Sequence, residues 1–301
     1  MSNSIIDDIK FNLKKGDFVL RLIIINTIIF VAFGLLSLTD NLFKLNGILK
    51  FSNYFTFPSS IAWWFRKPWS IFSYMFLHQD LFHLLGNMIM LYFGGRIFTE
   101  FLGNKRIFPL YLVGGIFGGL LYLLLYNLIP LFADAGINAN LIGSSAAVLA
   151  IFFAIASYLP NYEVVLMFIG PVRLKYIALF IFLLDLLSID QNNPGGHIAH
   201  IGGALLGIGY ASGLKKGYDF TSSINKFFDK VLSLFSRLNQ KNKSNLKVSY
   251  KQSNYNRNTT YPKEKNKQEI IDAILDKISK SGYGSLTKEE QETIFKMSKD
   301  E

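Results

Sequence analysis

Long apolar stretches alternate along the chain with short polar connections, and six are long enough to matter: about 19–38, 81–98, 107–129, 141–159, 174–190 and 197–214. A helix needs roughly 20 apolar residues to cross the hydrocarbon core of a bilayer, so each run predicts a transmembrane helix. The second and sixth are the least apolar and hold three of the four histidines, His83, His197 and His200; His78 just precedes the second. A helix in lipid satisfies its own backbone, whereas an imidazole or amide there needs a partner, so polar groups inside the spans are functional candidates. Beyond the sixth run, Phe220, Ile224, Phe227, Val231, Phe235 and Leu238 recur at spacings of three and four. Lys226, Lys230 and Arg237 fall between them, the pattern of a helix lying on a membrane surface. Residues 240–268 are rich in Asn, Lys and Ser and read as a linker. Ile270, Ile271, Ile274, Leu275 and Ile278 then share a helical face, "GYGS" makes a turn, and Thr287 with Glu290 has capping-box spacing for a second short helix. So short a segment buries little core, so this hairpin needs a partner surface.

Composition supports the membrane reading. Half of the residues are hydrophobic and 17% are charged, against about 25% in soluble domains. The fold class expected is an all-α integral membrane protein, a six-helix bundle with a small C-terminal helical extension. Its parts are a head (1–18), the membrane domain (19–214), a basic amphipathic and linker segment (215–268) and the helical hairpin (269–301). The absence of cysteine excludes disulfides, thiolate metal sites and a cysteine nucleophile. The net charge of +10 is concentrated: residues 215–267 hold thirteen Lys and Arg against three Asp and Glu. Basic charge directly after an apolar run reads as a cytoplasmic anchor facing anionic lipid, not as a nucleic-acid surface.

The connections at 130–140 and 191–196 carry no Lys or Arg, while those near 99–106 and 160–175 carry Lys105 with Arg106 and Arg173 with Lys175. The positive-inside rule then places both ends of the chain in the cytoplasm. The 39–80 loop carries Lys44, Lys50, Arg66 and Lys67 on the outer side; its Trp63, Trp64, Phe65 and Trp69 predict that it lies in the outer interface. The first run is too long for a signal-peptide core and no small-x-small cleavage site follows it, so a retained first span is expected.

Four polar signals lie in or at the ends of spans. "HLLGN" puts His83 and Asn87 on one helical face, "IGSSAAV" opens the fourth span, "HIAH" opens the sixth, and Asp185 sits near the end of the fifth. A serine nucleophile needs a base within hydrogen-bond reach and donors aimed at the oxyanion that forms. Ser145 with His200 supplies nucleophile and base. The unpaired Ser145 N–H at a helix start, with His83 and Asn87, supplies donors. The fourth and sixth helices must then approach closely. Ala146, Ala150 and Ala154 form one small-residue stripe, and Ala199, Gly203, Gly207 and Ala211 another, spacing that lets helix backbones touch in lipid. Ser145 lies one residue before the first stripe and His200 one residue into the second.

Blander readings stand beside these. Ser144 and the glycines at 114, 115, 118 and 119 read as packing. His78 and His197 fall at the interfaces, where solvated or capping roles compete with function. Asp185 is an orienting acid, a partner for another span's polar group, or a surface group. A metal site on His197 and His200 lacks the glutamate of the H-E-x-x-H signature, so no metal and no cofactor are expected. The sequence shows no inverted repeat and no paired broken helices, which argues against a transporter.

"FLHQDLFHLLGNM", "EFLG" (Glu100 to Gly103), "GSSA" and "AHIGGALLG", in this order on these spans, resemble the rhomboid intramembrane serine proteases over roughly 60–214. The resemblance implies Ser145 as nucleophile, His200 as general base, and His83, Asn87 and the Ser145 N–H as oxyanion donors. It implies an endopeptidase acting on membrane-spanning segments of other proteins, with a small residue before the cut. The tail "ILDKISKSGYGSLTKEEQETIFKMSK" resembles an extension of Bacteroidetes-type members, which implies a bacterial inner-membrane location. Two positions depart from the family pattern: Ala146 stands where a glycine is usual, and Leu149 where many members carry an aromatic against which the histidine stacks. The alternative is a catalytically inactive rhomboid-like protein that binds membrane clients without cutting them.

Overall fold

Three of the long helices open on a side-chain cap. In the computed structural model, which describes residues 16–44, 51–133, 139–189, 193–239 and 265–297 together with Asp7 and Leu13, the first long helix, α1 (Phe18–Phe43), is capped by Asp17, whose carboxylate accepts from the Leu20 N–H. Asp80 caps α2 (Leu81–Leu102) by accepting from the His83 N–H. Helix α3 spans Ile107–Leu128, α4 Ser145–Tyr158 and α5 Leu174–Leu187. Asn193, in the left-handed region at φ 62°, accepts from the Gly196 N–H, and Pro194 opens α6 (Pro194–Lys215). A proline has no N–H to leave unpaired in the first turn, so it suits that place. The amphipathic α7 (Phe220–Asn239) follows.

Helix α4 begins four residues later than the sequence pattern suggests. Asn140 and Leu141 are extended and pair with Phe57 and Pro58 in a two-residue antiparallel ladder, and Gly143 at φ 123° is outside any helical region. Helix α6 starts three residues earlier than expected because Asn193 and Pro194 form its cap. Among the described residues, α1, α2 and a run including α3 are long and apolar enough to cross a membrane by length and composition. The helices α4 and α5 have 14 residues each, and α6 is rich in Gly. Within the 39–80 loop, residues 51–80 hold helical segments at Ile61–Arg66 and Ser70–Ser73, and Tyr74 Oη donates to the Gly115 carbonyl at 2.6 Å. Phe101 and Tyr162 meet edge-on beside a β-hairpin, Glu163–Leu166 with Gly170–Arg173.

Large side chains such as Tyr74, Tyr111 and Phe98 fill part of the interior, small residues line the seam of α3, α4 and α6, and many large apolar side chains face outward. Ile28, Leu35 and Phe43 on α1 and Phe180 and Leu187 on α5 are exposed, as suits side chains that face lipid. Inside, α3, α4 and α6 meet backbone to backbone. A Cβ on Gly118 would lie 2.6 Å from both Ala146 Cβ and the Ala199 carbonyl oxygen, one on Gly202 would lie 2.8 Å from Gly118 Cα, and one on Gly203 would collide with the Ala146 carbonyl. Gly114 presses on Ala150, and Gly207 on the Ala150 carbonyl and the Ala154 N. The packing role expected of Gly114, Gly115, Gly118 and Gly119 is what they have. Two polar groups buried here are bonded: Asn26 Nδ2 donates to the Leu22 carbonyl at 2.8 Å, and Tyr111 Oη donates to the Met75 carbonyl at 2.8 Å.

Lys215, Arg106 and Arg96 lie at the end of the bundle away from Ser145. Lys215 Nζ donates to the Ser157 carbonyl in the last turn of α4 at 2.9 Å, Arg106 pairs with Asp219 at 2.7 Å, and Arg96 pairs with Asp17 at 2.7 Å. Asn225 bonds the Lys105 carbonyl and Phe228 meets Phe108 edge-on, which seats α7 against that end. The side chains of Val231, Phe235 and Leu238, most of the head and the linker 240–264 lie outside the described residues.

The chain divides into two compact units, 1–241 and 242–301. The second holds α8 (Lys265–Ser281) and α9 (Lys288–Met297). The Thr287 N–H donates to Glu290 Oε2 at 2.7 Å and the Glu290 N–H to Thr287 Oγ1 at 3.3 Å, a reciprocal capping box. Lys277 Nζ ties α8 to the same Glu290 carboxylate at 2.9 Å, and among the described residues Ile274 and Leu286 are buried.

Gly203→Val forces a branched side chain into the α4 backbone, and overpacking of this kind costs about 1–3 kcal/mol. Its thermal stability in detergent should fall accordingly. Gly209→Ala, where the added methyl meets nothing within 4 Å, should hold or raise it, by up to about 1 kcal/mol.

Candidate active site

The turn before α4 is shaped by one glycine. The Gly143 N–H donates to the Tyr74 carbonyl at 3.1 Å. At its φ of 123° a side chain is strained, and a Cβ would lie 2.6 Å from His83 Nε2 and 2.7 Å from Cε1. Glycine thus lets the His83 ring lie flush against this turn. Ser144 is buried, with Oγ 3.0 Å from His78 Nε2. Burial, and then the neighbouring His83, push the His78 pKa down to about 4, so that ring is neutral at pH 7. Of the solvated, capping and functional roles that the sequence left open for His78, the first two do not fit: it is a buried partner of Ser144. Ser145 follows as the first residue of α4, where the backbone N–H has no intrahelical acceptor.

The close approach of α4 and α6 puts Ser145 Oγ 2.6 Å from His200 Nε2. On the far side of the imidazole, His200 Nδ1 is 2.8 Å from Asp185 Oδ1. An ionised carboxylate only accepts, so the Nδ1 bonded to it carries the proton and Nε2 is bare toward the serine hydroxyl. The same Asp185 oxygen is 2.8 Å from His197 Nδ1, and the two rings meet edge-on with centroids 5.8 Å apart. Asp185 comes from α5, so three helices converge on this point. Leu149 is buried one turn into α4; His200 is held by a hydrogen bond and an edge-on imidazole.

His83 and Asn87 share a face of α2 as their spacing requires. Asn87 is buried, and its Nδ2 donates to the His83 carbonyl at 2.9 Å, which leaves the second amide hydrogen for another acceptor. The His83 and His78 rings meet edge-on at 5.2 Å. The site thus gathers a hydroxyl, an imidazole and a carboxylate in hydrogen-bonded sequence, with a free helix N–H and the His83 ring beside the hydroxyl. Such a chain is suited to drawing a proton from the serine as it attacks an electrophilic carbon.

Sequence reasoning left Asp185 and His197 undecided. Asp185 lies 15 residues before His200 across an interhelical connection, and no periodicity spans such a turn. The one signal was an acid near the end of an otherwise apolar helix, where an unpartnered carboxylate is costly.

Residues 66–216 match the Rhomboid domain, and residues 255–300 match a family of unknown function, DUF6576. The chain is similar to Rhomboid-related protein 1 of Caenorhabditis elegans, 33% identical over 152 residues that make up 47% of this chain and 38% of that protein. It is also similar to RHOMBOID-like protein 12, mitochondrial, of Arabidopsis thaliana (29% over 151 residues, 47% and 45%). Rhomboid protein 1, mitochondrial, of Saccharomyces cerevisiae is 29% identical over 158 residues, 50% of this chain and 43% of that protein. The chain spans less than half the length of these curated relatives. With the domain match running from Arg66 in the loop before α2 to Lys216 just past α6, the chain is a multi-pass membrane protein that belongs to the rhomboid family.

Proposed function

We propose that the protein is an intramembrane serine endopeptidase that cuts the membrane-spanning segments of other proteins with a Ser145–His200 dyad. The observation that carries this reading is the 2.6 Å contact between Ser145 Oγ and His200 Nε2. His200 Nε2 takes the hydroxyl proton as Oγ attacks the scissile carbonyl, then returns a proton to the leaving amine. Water repeats the cycle on the acyl-enzyme. Asp185 is a positioning residue: its bond to Nδ1 holds the tautomer with Nε2 bare and steadies the imidazolium. The Ser145 N–H, His83 Nε2 and the second hydrogen of Asn87 Nδ2 serve the oxyanion.

A 14-residue helix rises about 21 Å, short of the ~30 Å hydrocarbon core. With its C-terminal end at the basic side of the bundle, α4 leaves Ser145 below the opposite surface. We assign the basic side to the cytoplasm of a bacterial inner membrane, with both ends of the chain there and α7 and the basic segment against anionic lipid. The site then opens outward. A peptide bond inside a membrane helix has its carbonyl bonded and its face covered, so a substrate must unwind locally before attack. Unwinding in lipid strands backbone groups at several kcal/mol each, which favours cleavage near the outer surface at a helix-weakening sequence.

Ser145→Ala and His200→Ala should abolish cleavage of a reporter membrane segment and, for Ser145→Ala, labelling by a fluorophosphonate. Ser144→Ala should retain both activities. Labelling of Ser145→Ala at the wild-type level would refute the dyad, and failure of the wild-type protein to label would favour the inactive client-binding alternative.

Asn87→Ala removes one of several oxyanion donors and should slow cleavage by about 10²–10³ with an unchanged melting temperature. Asp185→Asn should slow it by roughly 10²–10⁴, with part recovered in Asp185→Glu. Wild-type rates in these variants would show that neither residue serves the reaction.

Replacing Gly, Ser or Pro near the outer end of a substrate span by Leu should suppress cleavage progressively, read by gel shift and mass spectrometry of the products. Equal cleavage across the series, or cuts mapped to the bilayer midplane, would contradict the unwinding requirement.

A further inference from the structure

His197 moves no proton in the reaction proposed above, yet it is tied to the same carboxylate as His200. Its Nδ1 and that of His200 each lie 2.8 Å from the same carboxylate oxygen of Asp185. Donor atoms of the three residues all fall within 4.8 Å of one another. The "HIAH" pair looked deficient in sequence because it contains no acid; folding supplies one from α5. Two imidazoles and one carboxylate, with a fourth position for water, are a donor set suited to zinc. The side chains are 24%, 23% and 11% exposed for His197, His200 and Asp185, so water and a small ion reach them.

We propose that Asp185, His197 and His200 form a binding site for a divalent transition-metal ion, zinc by its ligand chemistry, and that its occupation switches the protease off. This rests on the assignment of His200 as the base of Ser145. Zinc takes nitrogen and oxygen ligands at about 2.0–2.2 Å, which sets tetrahedral ligands about 3.4 Å apart. The 2.8 Å hydrogen-bond spacings therefore open by about half an ångström as the ion replaces two N–H hydrogens between the same three groups.

The proton balance gives the inhibition. Each neutral imidazole binds through its Nδ1 lone pair, so the hydrogen that it held on Nδ1 is carried on Nε2 instead, and no net proton is released. On His200 this places a hydrogen on the nitrogen that faces Ser145 Oγ. That nitrogen then donates to the hydroxyl and cannot accept its proton, and the serine loses its base. The ion sits on the Asp185 side of the ring, away from the serine. It brakes the reaction and supplies none of its chemistry, so chelation of a metal-free preparation has no effect, whereas chelation after zinc treatment restores cleavage.

The test uses the purified full chain in detergent, stripped of metal. Cobalt(II) titrated into Ser145→Ala should give the visible absorption of a tetrahedral site at one ion per chain. The band should be lost in the doubles Ser145→Ala/His197→Gln and Ser145→Ala/Asp185→Asn, with folding checked by circular dichroism and melting. Zinc should raise the melting temperature of Ser145→Ala but not of Ser145→Ala/His197→Gln. In the cleavage assay, with each rate taken relative to the same variant without zinc, His197→Gln should need at least ~10-fold more zinc for half inhibition, the usual scale for a disturbed metal site. No cobalt band in Ser145→Ala, or equal zinc sensitivity with and without His197, overturns the proposal. A cobalt band in a protein that neither labels with fluorophosphonate nor cleaves sinks the protease reading and leaves the metal site standing.

Discussion

Everything at the serine depends on how closely α4 and α6 approach. Lipid tails are as apolar as leucine, so no hydrophobic force drives helices together inside a bilayer; contact must come from packing and hydrogen bonds. The chain meets this with glycine and alanine on three helices. Gly203 and Gly207 take the Ala146 and Ala150 carbonyls against their Cα atoms, and Gly118 and Gly202 close α3 onto α6. A larger side chain at any of these would meet backbone or Cβ atoms of the facing helix and push the two apart. Ser145 and His200 sit beside these contacts, so the 2.6 Å between their polar atoms is set by backbone packing.

The same helices must carry polar groups at depths where none is tolerated alone. Several of those groups are bonded to another: Asn26 to its own helix and to Tyr111, Tyr111 to Met75, Ser144 to His78, Asn87 to the His83 carbonyl. In low dielectric such pairs hold rings and amides in single orientations. Ser144 and His78 in particular fix the turn that presents Ser145, which explains why two adjacent serines have different tasks. One is locked inward and the other is left at the helix start with its hydroxyl toward an imidazole.

Two departures from the usual family pattern fit this frame. Ala146 extends the small-residue stripe by a methyl that packs against Gly118. Leu149 removes an aromatic platform for the histidine, and the carboxylate of Asp185 with the edge of His197 constrains the ring from its other side. A hydrogen bond fixes both the direction and the tautomer of an imidazole, where a stack fixes only its plane. The cost is an ionised group near the membrane, and its two N–H donors offset that cost.

Much of the fold was legible from periodicity. The apolar runs, the packing glycines and the Thr287–Glu290 box each follow from rules that act within a few residues, and the spacing of Ala146, Ala199 and Gly203 was enough to bring Ser145 toward His200. The exact helix starts were less legible, since the late start of α4 needs Phe57 and Pro58, more than eighty residues away, to hold Asn140 and Leu141 extended. Asp185 could not be assigned at all, nor could His197 and His78. Which oxygen meets which ring across separate helices depends on the rotation and depth of each helix, and those are decided when the small-residue faces close on one another. Local pattern determined the elements and the faces they would bury; the packing of those faces alone decided which polar groups would touch.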